Sequence, residues 1–283
     1  MDAEWIAFSA GLKPAIRRTA DPVDLDRVEA QLRARGGDVV VVRAKETALF
    51  GGREQAVLYA ARSRDHAEAL REAEEGVLSG RAQAPDARAR HAAIGRLLGF
   101  PACCVEAFLV RLDRGVDRLE EGGAGGLAED YVALRSAWVA DADARVNPLL
   151  MGVRAQLVSF YPCRYDCEVA VGLAEAVRAV VAARQPKTAA SLMGLLSRPV
   201  AVAPDGARAL LALDDARVVE RAAAPRRPDG GSNPRDVALA ETLGGRRVKD
   251  TGEVEGELTG GLTEALPVWC VDFGGVSRRS EFR

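Results

Sequence analysis

Four of the five cysteines in this chain fall in two similar settings. The first is Gly99-Phe100-Pro101-Ala102-Cys103-Cys104, and the second is Phe160-Tyr161-Pro162-Cys163-Arg164-Tyr165-Asp166-Cys167. Each places an aromatic-proline pair just ahead of cysteine and an amphipathic run behind it. Proline is favoured at the first position of a helix, so both groups are predicted in the opening turns of helices. Unpaired N–H groups and the helix dipole lower a thiol's pKa there and favour an anion. Two such helix starts turned toward each other would cradle a metal ion or an iron–sulfur cluster.

Spacing narrows the ligand set. Cys163 and Cys167 stand four residues apart, on one helix face, and both can reach one centre. Cys103 and Cys104 are adjacent and about 100° apart around a regular helix, so both can serve one centre only if that turn is distorted. The simplest set is Cys163, Cys167 and one of the pair. Cys104, on the same face as Phe108, is the expected third ligand. Cys103 is then a nearby thiol able to act on substrate. Three thiolates on a [4Fe–4S] cluster leave one iron open, whereas four suit structural Zn or a closed cluster. The Cys-x-x-Cys of ferredoxins and zinc ribbons is absent. A thiol redox site and plain core packing remain alternatives, because cysteine is among the most buried residue types. Cys270, inside an apolar strand pattern, is assigned to the core.

The run from Leu97 to Phe108, followed by Pro162-Cys163-Arg164-Tyr165-Asp166-Cys167, resembles a family of uncharacterised bacterial and archaeal proteins. In that family a Gly-aromatic-Pro-x-Cys-Cys stretch precedes a Pro-Cys-x-x-x-Cys stretch. The resemblance covers the helical middle, roughly residues 90 to 180. It implies that the four cysteines act as a unit and implies no particular activity. A serine commonly follows the second pair in that family, where this chain has Val169-Ala170.

Other side chains could assist the thiols. Arg164 is a candidate to hold a substrate carboxylate, and Tyr161 or Tyr165 to donate a proton or cap the site. The structural alternative is that tyrosines beside proline simply pack and that Glu106, Asp166 and Glu168 only stabilise first turns. His66, on a charged stretch, is expected in solvent. His91, two turns ahead of Gly99, is either a proton donor or further ligand near the cysteines or an ordinary helix residue. Asn147, before Pro148, reads as a local cap. No Gly-x-Ser-x-Gly, P-loop or His-Glu-x-x-His pattern occurs.

The elements that must position these residues read as an α+β fold: a small α/β N-terminal unit, a helical centre and a β-rich C-terminal unit. The expected boundaries are 1–85, 86–196 and 197–283. In the first unit, helices are predicted over Asp24–Arg35 and Arg64–Glu75, the latter capped by Ser63, with strands at Val39–Val42 and Ala56–Ala60 and a turn at Phe50–Arg53. The centre carries helices over Ala87–Leu98, Pro101–Arg114, Leu127–Ala142, Pro162–Arg184 and Thr188–Leu196, with a glycine-rich connection at Gly122–Gly126. The last unit opens with a hairpin, Val200–Val202 and Ala209–Leu213, and closes with a strand over Val268–Phe273. Residues 236–266 give no clear signal.

Composition sets the outer limits. The chain has 283 residues, 48% hydrophobic and 28% charged, enough to bury a core without staples. A net charge of −2 argues against a nucleic-acid partner, and Glu175 and Arg178 interrupt the most apolar stretch, so no membrane span is expected. With no export signal in view, a cytoplasmic setting is expected, where thiols stay reduced. The resulting expectation is an iron–sulfur enzyme whose [4Fe–4S] cluster offers an open iron to a small-molecule or peptide substrate, for lyase, dehydration or sulfur-transfer chemistry. The alternative is a non-enzymatic zinc-binding or thiol redox-sensing protein.

Overall fold

Ala56 to Ala61 form one strand in which every residue is buried, and the N-terminal unit is built around it. The computed structural model describes residues 3–36, 38–45, 48–50, 53–78, 84–113, 142–151, 154–203, 207–213, 218–226, 231–247, 254, 268–271 and 273. The chain divides into two compact units, Glu4–Asp113 and Arg114–Arg283, the latter with Met1–Ala3. The fold is mixed α+β, with two four-stranded antiparallel sheets.

In the N-terminal unit the elements run α1 (Ala3–Ser9), β1 (Ala15–Ala20), α2 (Leu25–Gly36), β2 (Val40–Arg43), β3 (Ala48–Phe50), β4 (Arg53–Ala61), α3 (Arg64–Leu78), α4 (Ala84–Leu97) and α5 (Ala102–Asp113). β4 is central, pairing with β1 (Ala15 opposite Ala61), β2 (Val40 opposite Ala61) and, toward its start, β3. Alternate residues of β4 serve two cores. Leu58 and Ala60 join Trp5, Phe8, Ile16, Leu32 and Val41, while Val57, Tyr59 and Ala61 join Ala67, Leu70 and Leu98. A strand covered on both faces must be continuously apolar, and this one is. The Ser63 cap is present, with His66 N–H donating to its Oγ at 3.3 Å. His66 itself is not left to solvent: Nε2 lies 2.8 Å from the Leu97 carbonyl and ties α3 to the end of α4. α4 therefore packs on α3, across the boundary drawn at residue 85 from the sequence.

The C-terminal unit holds α6 (Glu168–Arg184), α7 (Pro186–Leu196), β5 (Val200–Val202), β6 (Arg208–Leu213), β7 (Val219–Ala223), α8 (Pro234–Leu243) and β8 (Trp269–Val271). Its sheet runs β7-β6-β5-β8. The expected hairpin pairs Val200 with Leu210, and the closing strand sets Cys270 opposite Ala201. α8 lies in the stretch the sequence left unassigned. Asn233 caps it by accepting from Arg235 N–H at 3.1 Å, Pro234 starts it, and Leu239 and Leu243 enter the core with Leu211 and Val219. The helix expected over Leu127–Ala142 and the Gly122–Gly126 connection lie outside the described residues, apart from buried Ala142. No helix among the described residues is long and apolar enough to cross a membrane.

Candidate metal centre

Cys103 and Cys104 are placed by the tight junction of α4 and α5. α4 ends in a Schellman motif: Phe100 N–H donates to the Gly95 carbonyl at 2.9 Å and Gly99 N–H to Arg96 at 3.0 Å. Gly99 takes φ +75°, and a Cβ there would also lie 2.5 Å from Cδ of Pro14. Gly95 lets the helices approach, since its Cβ would fall 2.6 Å from a Val105 methyl. The chain then turns at once. The Pro101 carbonyl accepts from Cys104 N–H at 2.9 Å and Val105 N–H at 3.0 Å, so the cysteines are the second and third residues of α5. Cys104 is buried at 2% exposure with Val105 and Leu109, and Cys103 is exposed. Polar and aromatic contacts clamp the helices farther along: Arg88 bonds Glu106 at 2.9 Å, and His91 packs edge-on to Phe108 at 5.3 Å.

The second pair departs from the sequence expectation. Pro162 does not open a helix; α6 begins at Glu168. Cys167 is its N-cap residue, at φ −59° and ψ 108°, its carbonyl accepting from Val171 N–H at 2.8 Å while its side chain makes no capping bond. Cys163 sits in the turn before it. The reason is tertiary. Tyr165 is pulled inward, 2% exposed, edge-on to Phe273 at 5.2 Å, and its carbonyl accepts from Asp143 N–H at 2.9 Å. A backbone held this way cannot continue a helix. Arg164 spans the turn, its Nε and a terminal nitrogen donating to the two oxygens of Asp166 at 2.9 and 2.7 Å. Its planar fork is thus engaged by a neighbouring carboxylate.

Asp143 does more than its sequence context suggests. It caps a short 3₁₀ turn, Ala144–Val146, and accepts from the Arg145 side chain at 2.9 and 2.5 Å. Arg145 reaches on to Glu175 of α6, which Arg178 also grips. Partial burial opposes the charged form of Asp143, but the hydrogen bonds from Arg145 outweigh it and hold the carboxyl below its ordinary range. The Arg178 and Arg145 guanidiniums pull Glu175 down to about 2. Asn147 is a local cap, as expected, accepting from Leu149 N–H at 2.9 Å; its amide also donates to the Leu196 carbonyl at 2.8 Å, closing the end of α7. The only sequence signal for this support was an acid just ahead of a short helical turn.

These supports bring four sulfurs together. The Sγ atoms of Cys103, Cys104, Cys163 and Cys167 all lie within 4.8 Å of one another, and none is in a disulfide. The Cys103 and Cys104 sulfurs are 3.9 Å apart, so adjacency in sequence does not keep either out of the group. Both sulfurs of the adjacent pair thus lie near those of Cys163 and Cys167 despite the offset of about 100° between neighbouring helical positions. Tyr161 is half-buried beside Pro162. Arg164 is close enough for both Cys163 and Cys167 to add to the charge field around it, after the larger effect of Asp166. The group is chemically a soft, sulfur-only donor set compatible with a metal ion. The chain matches no known protein family, no curated protein and no solved structure.

Proposed function

We propose that the four cysteines bind a single zinc ion in a closed tetrathiolate shell, and that the protein is a zinc-binding rather than an iron–sulfur protein. The observation that carries this is the sulfur spacing. Zn–S bonds of about 2.3 Å place the sulfurs of a tetrahedral site about 3.8 Å apart. The 3.9 Å Cys103–Cys104 separation and the 4.8 Å limit on all pairs lie near that value. A cubane cluster interposes four irons and four sulfides and spreads its thiolates wider than one ion does. Four thiolates also fill the shell, which favours a structural role in which metal binding adds directly to folding free energy.

Exposure of Cys103 favours a second reading. Were Cys103 released, the other three thiolates could hold a [4Fe–4S] cluster whose open iron faces solvent, the arrangement suited to lyase or sulfur-transfer chemistry. Cobalt(II) substitution tests the first reading. The cobalt protein is expected to show the intense visible bands of tetrahedral tetrathiolate coordination, weakened by Cys103→Ser as well as by Cys104→Ser. A Cys103→Ser variant with an unchanged cobalt spectrum would remove Cys103 from the shell and promote the second reading.

A further inference from the structure

We propose that Cys103 is the reactive ligand of this centre, a site of oxidative modification through which peroxide releases the metal; the inference rests on the zinc-thiolate reading. The four sulfurs form one group but differ in access. Cys104 is 2% exposed and Cys167 9%, Cys163 is half-buried, and Cys103 alone of the four is exposed. The burial of Cys104 and Cys167 comes from the α4–α5 junction and the pinned turn before α6. An oxidant therefore meets the group at Cys103.

The step needs a hydroperoxide as its oxidant. With hydrogen peroxide, the Cys103 thiolate attacks one peroxide oxygen, an S–O bond forms as the O–O bond breaks, and the other oxygen leaves as hydroxide, which a buffer proton converts to water. Sulfur loses two electrons and the peroxide gains them. The resulting sulfenic acid is a poor metal ligand, so the shell opens and the ion departs. A second thiolate can then attack that sulfur, forming a disulfide and expelling hydroxide. The Cys103–Cys104 pair is the less favourable choice for that bond, because neighbouring Cα atoms, about 3.8 Å apart, are closer than disulfides usually span.

The test uses the zinc-loaded full chain and substoichiometric hydrogen peroxide, with dimedone to trap sulfenic acid, a chromogenic chelator to count released zinc, and peptide mass mapping. Cys103 is expected in every early oxidised species, as the dimedone adduct or as one half of a disulfide. Its dimedone labelling should exceed that of Cys163 by at least about tenfold, with one zinc released per Cys103 oxidised. Cys270→Ser should leave order and yield unchanged. Early species that lack Cys103, or Cys103 oxidation with zinc retained, would overturn the proposal. Metal analysis before peroxide is added reads the zinc assignment separately, so its failure is distinguishable.

Discussion

The two cysteine pairs look alike in sequence and are held by different physics. Cys103-Cys104 is positioned by apolar packing: a Schellman turn at Gly99 against Pro14, and the Gly95–Val105 close approach that seats α5 on α4. Cys163 and Cys167 are positioned by polar braces: the Asp143 amide on the Tyr165 carbonyl, the Arg164–Asp166 fork, and the Asp143–Arg145–Glu175–Arg178 chain onto α6. The same aromatic-Pro-Cys words thus specify a helix start in one place and a pinned turn in the other. Local propensity for a helix at Pro162 loses to the burial of Tyr165 and the carbonyl bond that comes with it.

The comparison can be broken most severely at the thiols themselves. Cys104→Ser and Cys167→Ser should each leave less than about a tenth of the metal bound after dialysis against a chelator, while Cys270→Ser keeps it all. Equal loss in all three, by elemental analysis, would mean that unfolding rather than ligation is being read.

A packing defect comes next. Gly99→Ala places a Cβ in a left-handed conformation, at about 1–2 kcal/mol, and against Pro14 as well. Urea unfolding should report a loss of at least about 2 kcal/mol. A neutral result would show that Pro14 and the turn yield freely, and that the first pair is not rigidly set.

The polar side should respond more mildly. Asp143→Asn is expected to destabilise by about 1 kcal/mol, because partial exposure screens its bonds to Arg145, and to weaken metal retention in chelator competition. Acid acts on the same brace. Asp143 and Glu175 are held below their ordinary values of 3.8 and 4.5, so their contribution is complete above those values. It is lost as pH falls through the depressed values, toward about 2 for Glu175. Unfolding of the metal-free protein between about pH 4.5 and 2 should therefore be less steep in pH for Glu175→Gln than for the wild type; equal slopes would remove that brace from the account. The smallest effect is expected at Arg164→Gln, an exposed residue whose loss should leave metal content unchanged.

Much of the N-terminal unit was legible in the sequence because its elements carry strong local patterns: the Val40–Arg43 and Ala56–Ala61 runs, and Ser63 ahead of α3. β1 was not, since Arg17 and Arg18 interrupt its apolar face. Their charges are satisfied at a distance, by Glu74 and Glu4, which no short window reveals. α8 hid for a similar reason: its cap is clear, but only Leu239 and Leu243 mark its buried side. At the centre, the four thiols and the contrast between buried Cys104 and exposed Cys103 could be read from spacing and helical phase. The approach of both adjacent sulfurs to the other two could not, and neither could the pinned turn at Cys163, which depends on Asp143 and Phe273.

The central claim is that four thiolates surround one ion, and the most direct measurement is metal and acid-labile sulfide per chain in anaerobically purified protein. One zinc per chain without sulfide, in a colourless preparation, is the predicted result. Iron with matching sulfide in a brown preparation would contradict it and restore the iron–sulfur reading.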